Sequence, residues 1–394
     1  MPNKKVLILG AGVAGPTLAY WLLEAGFDAT IIEKAPELRK GGYIVDFWGS
    51  GYEVADRMGI IPRLKEEGYD LDGAWELDSN GKKIAFLSAK SVFKLTGGRH
   101  LNIGRTELSA AAFDLVKDRV EVIFGQSLKQ IKDTGEKVQV QLTDGSNREF
   151  DLVIGADGLH SRVRLLHFGS EGLFERDSGM VVAAFDAKGY QPRDDSAAVG
   201  HTEIGGYVLR LSQRDDYTMF VFMVRAPGEV PIHNREAQEE LLRNLLTDFG
   251  WETKKILELM PNARTFYFDK ASQIRMPSWS KGRVCLIGDA AACPSLLAGQ
   301  GTALAMVEAY LLAYELKRNT DHSVAFQAFE KRLAGIVLKK QDAALGLATV
   351  FAPKSQFQLW LKKSVFKIMG LPGVARIAIG ASLRDPIELP RFTD

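Results

Sequence analysis

Three clusters of glycine and aspartate carry the chemical signal of this chain. The first is Gly10-Ala11-Gly12-Val13-Ala14-Gly15, which follows an apolar run at 6–9 and opens a helical spacing over 13–24; Glu33 closes a second β-branched run at 29–33. In that setting Gly10 permits a tight turn, Gly12 lets the backbone approach a pyrophosphate at a positive helix end, and Gly15 lets helix and strand pack closely. Glu33 is then placed to accept hydrogen bonds from a ribose hydroxyl pair. The competing reading is a glycine-rich turn that serves packing alone; the two flanking strands and the acid favour a dinucleotide site. The triplet does not separate NAD from FAD, because both present the same ADP half.

Two later clusters bear on that choice. Asp157-Gly158 follows an apolar run at 152–154, and Gly288-Asp289 follows another at 284–287. An Asp-Gly pair is most often only a turn. Asp289, however, suits the hydroxyls of a ribityl chain, and Gly299-Gln300-Gly301-Thr302 opens a helical pattern over 301–318 whose N-terminus suits a polarised flavin edge.

In the order of these clusters the chain resembles the class A, para-hydroxybenzoate hydroxylase-like FAD-dependent monooxygenases over roughly its first 320 residues. The resemblance implies that Gly10, Gly12, Ala14, Gly15, Glu33 and Lys34 hold the ADP half of FAD. It implies that Arg39, Gly42, Asp46, Arg105 and Leu128 complete the cofactor's surroundings, with Arg105 in Ile-Gly-Arg-Thr-Glu-Leu. Asp157 and Gly158 match the fingerprint that meets both FAD and a transient NADPH or NADH. Asp289, Gly299, Gln300, Gly301 and Thr302 match the ribityl and pyrimidine contacts. The chain departs from the family at Ala292, Leu296 and Ala303, where His, Pro and Asn are common. Within the family, the run over 288–301 and Phe249-Gly250-Trp251 look most like the tetracycline destructase branch.

The resemblance implies an oxidoreductase that uses NAD(P)H and O2 through a flavin 4a-hydroperoxide to hydroxylate a polycyclic aromatic or polyketide-like molecule, tetracycline among the candidates. No side-chain acid or base is nominated, and the catalytic residues stay unknown, because the flavin carries the hard chemistry. His160, His201 and His233 lack the spacing of a triad or metal site, so no metal is expected. The alternating segment around Met219, Phe220 and Phe222 is the candidate substrate wall, with core packing as the competing explanation. Two rival functions remain open: an FAD-dependent reductase of prenyl or lipid double bonds, and a flavoprotein that sequesters a hydrophobic ligand.

The elements that must position these residues read as α/β. We expect a Rossmann-like FAD-binding domain with an inserted antiparallel β-sheet substrate domain and a C-terminal helical segment. The expected division is FAD-binding over 1–72, 97–175 and 276–342, substrate domain over 73–96 and 176–275, and a helical tail over 343–394. Further strands are expected at 120–124, 138–142, 180–185, 207–211 and 217–224, and helices at 105–115 and 235–248. The segment 355–371 is expected to form a helix, read first as packing, second as a cover over the substrate entrance, and third as resting on a membrane surface.

Composition bounds the partners. The chain has 394 residues, 50 Lys plus Arg against 49 Asp plus Glu, and so no global field to attract nucleic acid. The stretch 365–383 is broken by Lys367, Pro372 and Arg376, so no transmembrane segment is expected. Cys285 and Cys293 form neither a disulfide framework nor a metal spacing. A cytoplasmic monomer or weak dimer acting on a small aromatic molecule is the expectation.

Overall fold

The computed structural model describes residues 4–39, 43–89, 96, 98–369 and 387–393. Numbered along the chain, β1 (Lys5–Leu9), β2 (Asp28–Glu33), β7 (Glu121–Phe124), β11 (Leu152–Gly155), β19 (Ser280–Lys281) and β20 (Val284–Leu286) form one sheet, ordered β19-β20-β11-β1-β2-β7. All its pairings are parallel except that of β19 with β20. The inner strands are apolar throughout, with Val6, Leu7, Ile8, Val153, Ile154 and Val284 fully buried, as a sheet covered on both faces requires.

Helices α1 (Ala14–Glu24), α2 (Ser50–Arg57), α3 (Ile61–Glu67), α4 (Arg105–Asp114) and α5 (Arg162–His167) belong to this first unit. They are accompanied by a ribbon of β3 (Ile44–Trp48) with β6 (His100–Gly104) and a small sheet of β8 (Leu128–Asp133), β9 (Val138–Leu142) and β10 (Asn147–Phe150).

The second unit is a seven-stranded sheet ordered β17-β13-β16-β15-β14-β4-β5. Its strands are β4 (Gly73–Leu77), β5 (Lys83–Ser88), β13 (Met180–Lys188), β14 (Ala197–Glu203), β15 (Gly206–Ser212), β16 (Tyr217–Arg225) and β17 (Phe266–Lys270). It is antiparallel except where β4 joins β14. Helices α6 (Arg235–Leu245) and α7 (Thr253–Leu259) cover one face, sealing Phe185, Phe220 and Phe222 beneath Leu242 and Ile256. A short pair of β12 (Glu175–Arg176) and β18 (Gln273–Ile274) lies at the crossing between the units.

The chain then returns through α8 (Asp289–Ala292) and α9 (Gly301–Arg318), whose interior from Leu304 to Leu316 is buried against α1 and α2. Two features differ from expectation. Helix α10 (His322–Phe351) runs 30 residues without a break at 343, because the apolar series Phe326, Phe329, Leu333 and Val337 continues into Ala344 and Ala348. Helix α11 (Gln356–Met369) follows it.

The second difference is at the C-terminus, where 387–393 is a strap on the first unit. Arg57 donates to the carbonyls of Leu389 and Pro390, and Phe392 packs 4.6 Å from the Trp21 ring. Among the described residues no helix is long and apolar enough to cross a membrane.

Candidate cofactor and substrate site

Strands β20, β11 and β1 are neighbours, and each delivers one of the three clusters at its C-terminal end. Parallel strands with helices on both faces place ligands at that edge. At the end of β1, Gly10 has φ +110°, and a Cβ there would lie 2.5 Å from the Ala156 carbonyl oxygen at the end of β11. A Cβ on Gly15 would lie 2.0 Å from the Gly10 carbonyl oxygen, so this glycine is required for packing. Gly12 is different: nothing lies within 4 Å of the Cβ position. Open space faces that backbone, and no side chain caps α1, which begins at the buried Ala14. Glu33 reaches the same turn, accepting from the Ala11 amide at 2.8 Å and the Ala35 amide at 2.9 Å. A pyrophosphate and a ribose fit this cradle: free donors and a positive helix end meet the first, and a carboxylate meets the second. Lys34 and Arg39 are exposed beyond it; Gly42 lies outside the described residues.

At the end of β11, Asp157 is turned onto its own chain. It accepts from Ser161 Oγ at 2.5 Å and from the Arg162 and Val163 amides at 2.6 and 3.1 Å, while burial pushes its pKa up. Gly158 has φ +83° with open space beside it. Arg162 donates to the carbonyl of Leu128, whose side chain is fully buried, so Leu128 is present here as a backbone acceptor at 2.9 Å.

Arg164, which ends the run that Asp157-Gly158 opens and has no role assigned from sequence, ties the second cluster to the third. Its side chain is 1% exposed and donates to the carbonyls of Leu159 at 2.5 Å and Ala290 at 2.9 Å, and to Glu171 at 2.6 Å. His160 is likewise structural. It bridges Asp269 of β17 and Glu171, and these two hydrogen bonds raise its pKa to about 10. His201 is buried between the Leu77 carbonyl and Glu203, and His233 is exposed. No metal-binding group of three occurs among the described residues.

At the end of β20, Gly288 has φ +63° and its amide donates to Glu308 of α9. Glu308 is fully buried, which raises its pKa to about 8. Sequence patterns miss this residue too, yet it anchors the turn that presents Asp289. A Cβ on Gly301 would sit 3.4 Å from Asp289 Oδ1, so the carboxylate lies against the start of α9, where no side chain caps the helix. Gln300 accepts from Lys340 at 2.5 Å, Gly299 is left-handed at φ +64°, and Thr302 is half-buried. Ser295, with φ +93°, is a non-glycine residue held in the left-handed half of backbone space, a strain often found at sites. Cys293 and Cys285 are both buried free thiols.

Arg105 begins α4 and links this edge to the second sheet. Its guanidinium donates to Tyr43 Oη at 3.4 Å, and its pKa is pushed up by Tyr43 and then by Asp289. The Tyr43 ring lies 5.8 Å from Tyr267 of β17. Asp46 on β3 accepts from Asn102 at 2.6 Å and lines a small crevice with Trp48, Gln300 and Lys340, beside the start of α9.

The three expected substrate contacts are divided by the pleat of β16. Met219 shares an apolar cluster with Val221, Leu211, Leu297 and Ala348, bordered by Tyr43, Tyr267 and Phe351. Phe220 and Phe222 point the other way and are fully buried beneath α6 and α7. Period-two alternation in a strand demands such a split, so these two phenylalanines are core of the second unit. A separate groove of about 610 Å³ includes Lys83, Arg193, Arg210 and Trp251 but none of the residues of the three glycine-aspartate clusters. Arg210 there is paired with Glu252 at 2.5 Å.

Known proteins resemble this chain over most of its length. The profile of the FAD binding domain family matches residues 3–321. A flavin-dependent monooxygenase from an unknown prokaryotic organism is 35% identical over 354 residues, covering 89% of this chain and 91% of that relative. An FAD-dependent monooxygenase of Sarocladium schorii is 31% identical over 404 residues, covering 94% and 93%. Among solved structures, the tetracycline destructase Tet(55) superposes with a TM-score of 0.85 at 31% identity, covering 99% of each chain.

Proposed function

Because the chain belongs to the FAD binding domain family of flavin-dependent monooxygenases, we propose that it uses NAD(P)H and O2 to insert one oxygen atom into a polycyclic aromatic or polyketide-like substrate. Atoms balance as substrate, O2, NAD(P)H and a proton giving hydroxylated substrate, NAD(P)+ and water. FAD, when bound, supplies the two-electron chemistry that couples reductant, oxygen and substrate.

The chain's own residues bind and enclose. The Gly12 backbone and the uncapped start of α1 receive the pyrophosphate, and Glu33 receives the ribose. Asp289 serves the ribityl hydroxyls, and the start of α9 at Gln300 and Gly301 serves the polar edge of the ring system. Arg105, held by Tyr43 and facing Asp289, carries positive charge between that edge and the second sheet. Met219, Val221, Leu297 and Ala348 exclude water from the space where an electron-rich carbon must be placed.

One observation carries the proposal: three cofactor clusters on adjacent strand ends adjoin an apolar wall of a different sheet. The likeness to Tet(55) supports a fused-ring substrate of the tetracycline kind. The test is to load the purified protein with FAD and screen phenols, fused-ring polyketides and tetracyclines with NADH and with NADPH. A substrate that accelerates nucleotide oxidation and yields a product heavier by one oxygen supports the reading. A product gaining two hydrogens and no oxygen would identify a reductase instead.

A further inference from the structure

Helix α11 packs on β5 with one face and leaves a second, apolar face exposed. Of the twelve large hydrophobic side chains exposed among the described residues, five sit on this 14-residue helix: Phe357, Trp360, Leu361, Val365 and Ile368. Their spacing of i, i+3, i+4, i+8 and i+11 places them on one helical stripe. Phe357 is 67%, Trp360 62% and Ile368 53% exposed. The opposite face packs on β5 and carries Leu359, Lys362 and Phe366. Lys362 is 8% exposed; its ammonium donates to Thr202 Oγ1 and lies 4.6 Å from the Tyr207 ring centre. The helix therefore buries a lysine and presents its tryptophan to solvent, leaving a contiguous apolar face of the kind that marks an interaction surface.

Charge says what that partner is. The chain as a whole is balanced at +1, yet 352–384 holds Lys354, Lys363, Lys367, Arg376 and Arg384 besides the buried Lys362, and no Asp or Glu. Lys363 and Lys367 flank the apolar stripe, and Lys367 is exposed. An apolar stripe bearing Trp and Phe beside lysines is suited to lie in the headgroup region of a bilayer, with its rings at the acyl boundary and its ammonium groups on anionic lipid.

We propose that the exposed face of α11 docks this enzyme onto anionic lipid surfaces. The attachment is peripheral and independent of the oxygen chemistry assigned to the cofactor cleft. It is tested by flotation of the full-length protein with vesicles of phosphatidylcholine alone or mixed with phosphatidylglycerol. The protein should float with the mixed vesicles, less with neutral ones, and less again in high salt. Lys363→Glu with Lys367→Glu should weaken binding by about fivefold or more for each lysine. Trp360→Glu, or Phe357→Ser if that variant does not fold, should abolish flotation while circular dichroism and FAD binding stay as in the parent. Two results would overturn the proposal. One is equal, weak recovery of parent and variants with both vesicle types. The other is a concentration-dependent dimer in solution that Trp360→Glu separates, which assigns the face to a second copy of the chain.

Discussion

Adding one methyl group at Gly12 separates a cofactor cradle from a turn that only packs. Nothing lies within 4 Å of the Gly12 Cβ position, and its φ is outside the left-handed range, so Gly12→Ala introduces neither a protein clash nor strain. Restricting the unfolded chain at a compatible position is worth about 0.4–1 kcal/mol in favour of the fold, so the cofactor-free protein should be unchanged or slightly more stable. The same methyl occupies the space reserved for a phosphate. Loss of one backbone hydrogen bond to a charged oxygen costs about 1.5–3 kcal/mol, which is on the order of ten- to a hundredfold in FAD affinity.

Gly15→Ala should behave in the opposite way. Its Cβ would lie 2.0 Å from the Gly10 carbonyl oxygen, so the cofactor-free protein itself must lose stability. Urea denaturation of the apoproteins and FAD titration followed by flavin fluorescence distinguish the two effects. If Gly12→Ala bound FAD as tightly as the parent, or if its apoprotein unfolded as readily as Gly15→Ala, the assignment of Gly12 to the pyrophosphate would be refuted.

Residues behind the site give further expected outcomes. Arg164→Met removes a buried cation from two carbonyls and Glu171, and should cost about 3–5 kcal/mol in denaturant unfolding, with Arg164→Lys recovering part of it. Glu308 has a folded pKa of about 8, above the ordinary carboxyl value, so its contribution to stability is full below about 4.5 and is lost as pH rises through 8. Glu308→Gln, which keeps an acceptor for the Gly288 amide, should flatten the melting temperature over that window. Phe220→Ala should cost about 3–5 kcal/mol without altering substrate affinity of the folded fraction. Met219→Leu should cost under about 1.5 kcal/mol and shift KM, as measured by steady-state kinetics on any active substrate.

The parts of the fold legible in the sequence are those written in short-range signals. The glycine turns, Glu33, and the strands β1, β2 and β20 follow from local rules of turn geometry and periodicity, and their shared edge follows from parallel pairing. Long-range partners have no such signal. Arg164 meets the Ala290 carbonyl of α8, 126 positions on, and Glu308 meets the Gly288 amide 20 positions back, pairings that residue type and local spacing do not announce. Alternation in β16 announces two faces but not which one meets the cleft; α6 and α7, added later in the chain, decide that against Phe220 and Phe222. The strap at 387–393 depends on carbonyls meeting Arg57 and Tyr310, contacts between residues more than 300 or about 80 positions apart. The exposed stripe of α11 is visible as helical spacing, but only the placement of Lys362 shows which side faces solvent.

The most direct test of the central claim tracks the oxygen. FAD-loaded protein, a substrate that accelerates NAD(P)H oxidation, and isotopically labelled O2 in ordinary water are combined, and the product is analysed by mass spectrometry. The account predicts one labelled oxygen atom per product molecule. Product that carries oxygen only from water, or that gains hydrogen and no oxygen, would contradict it.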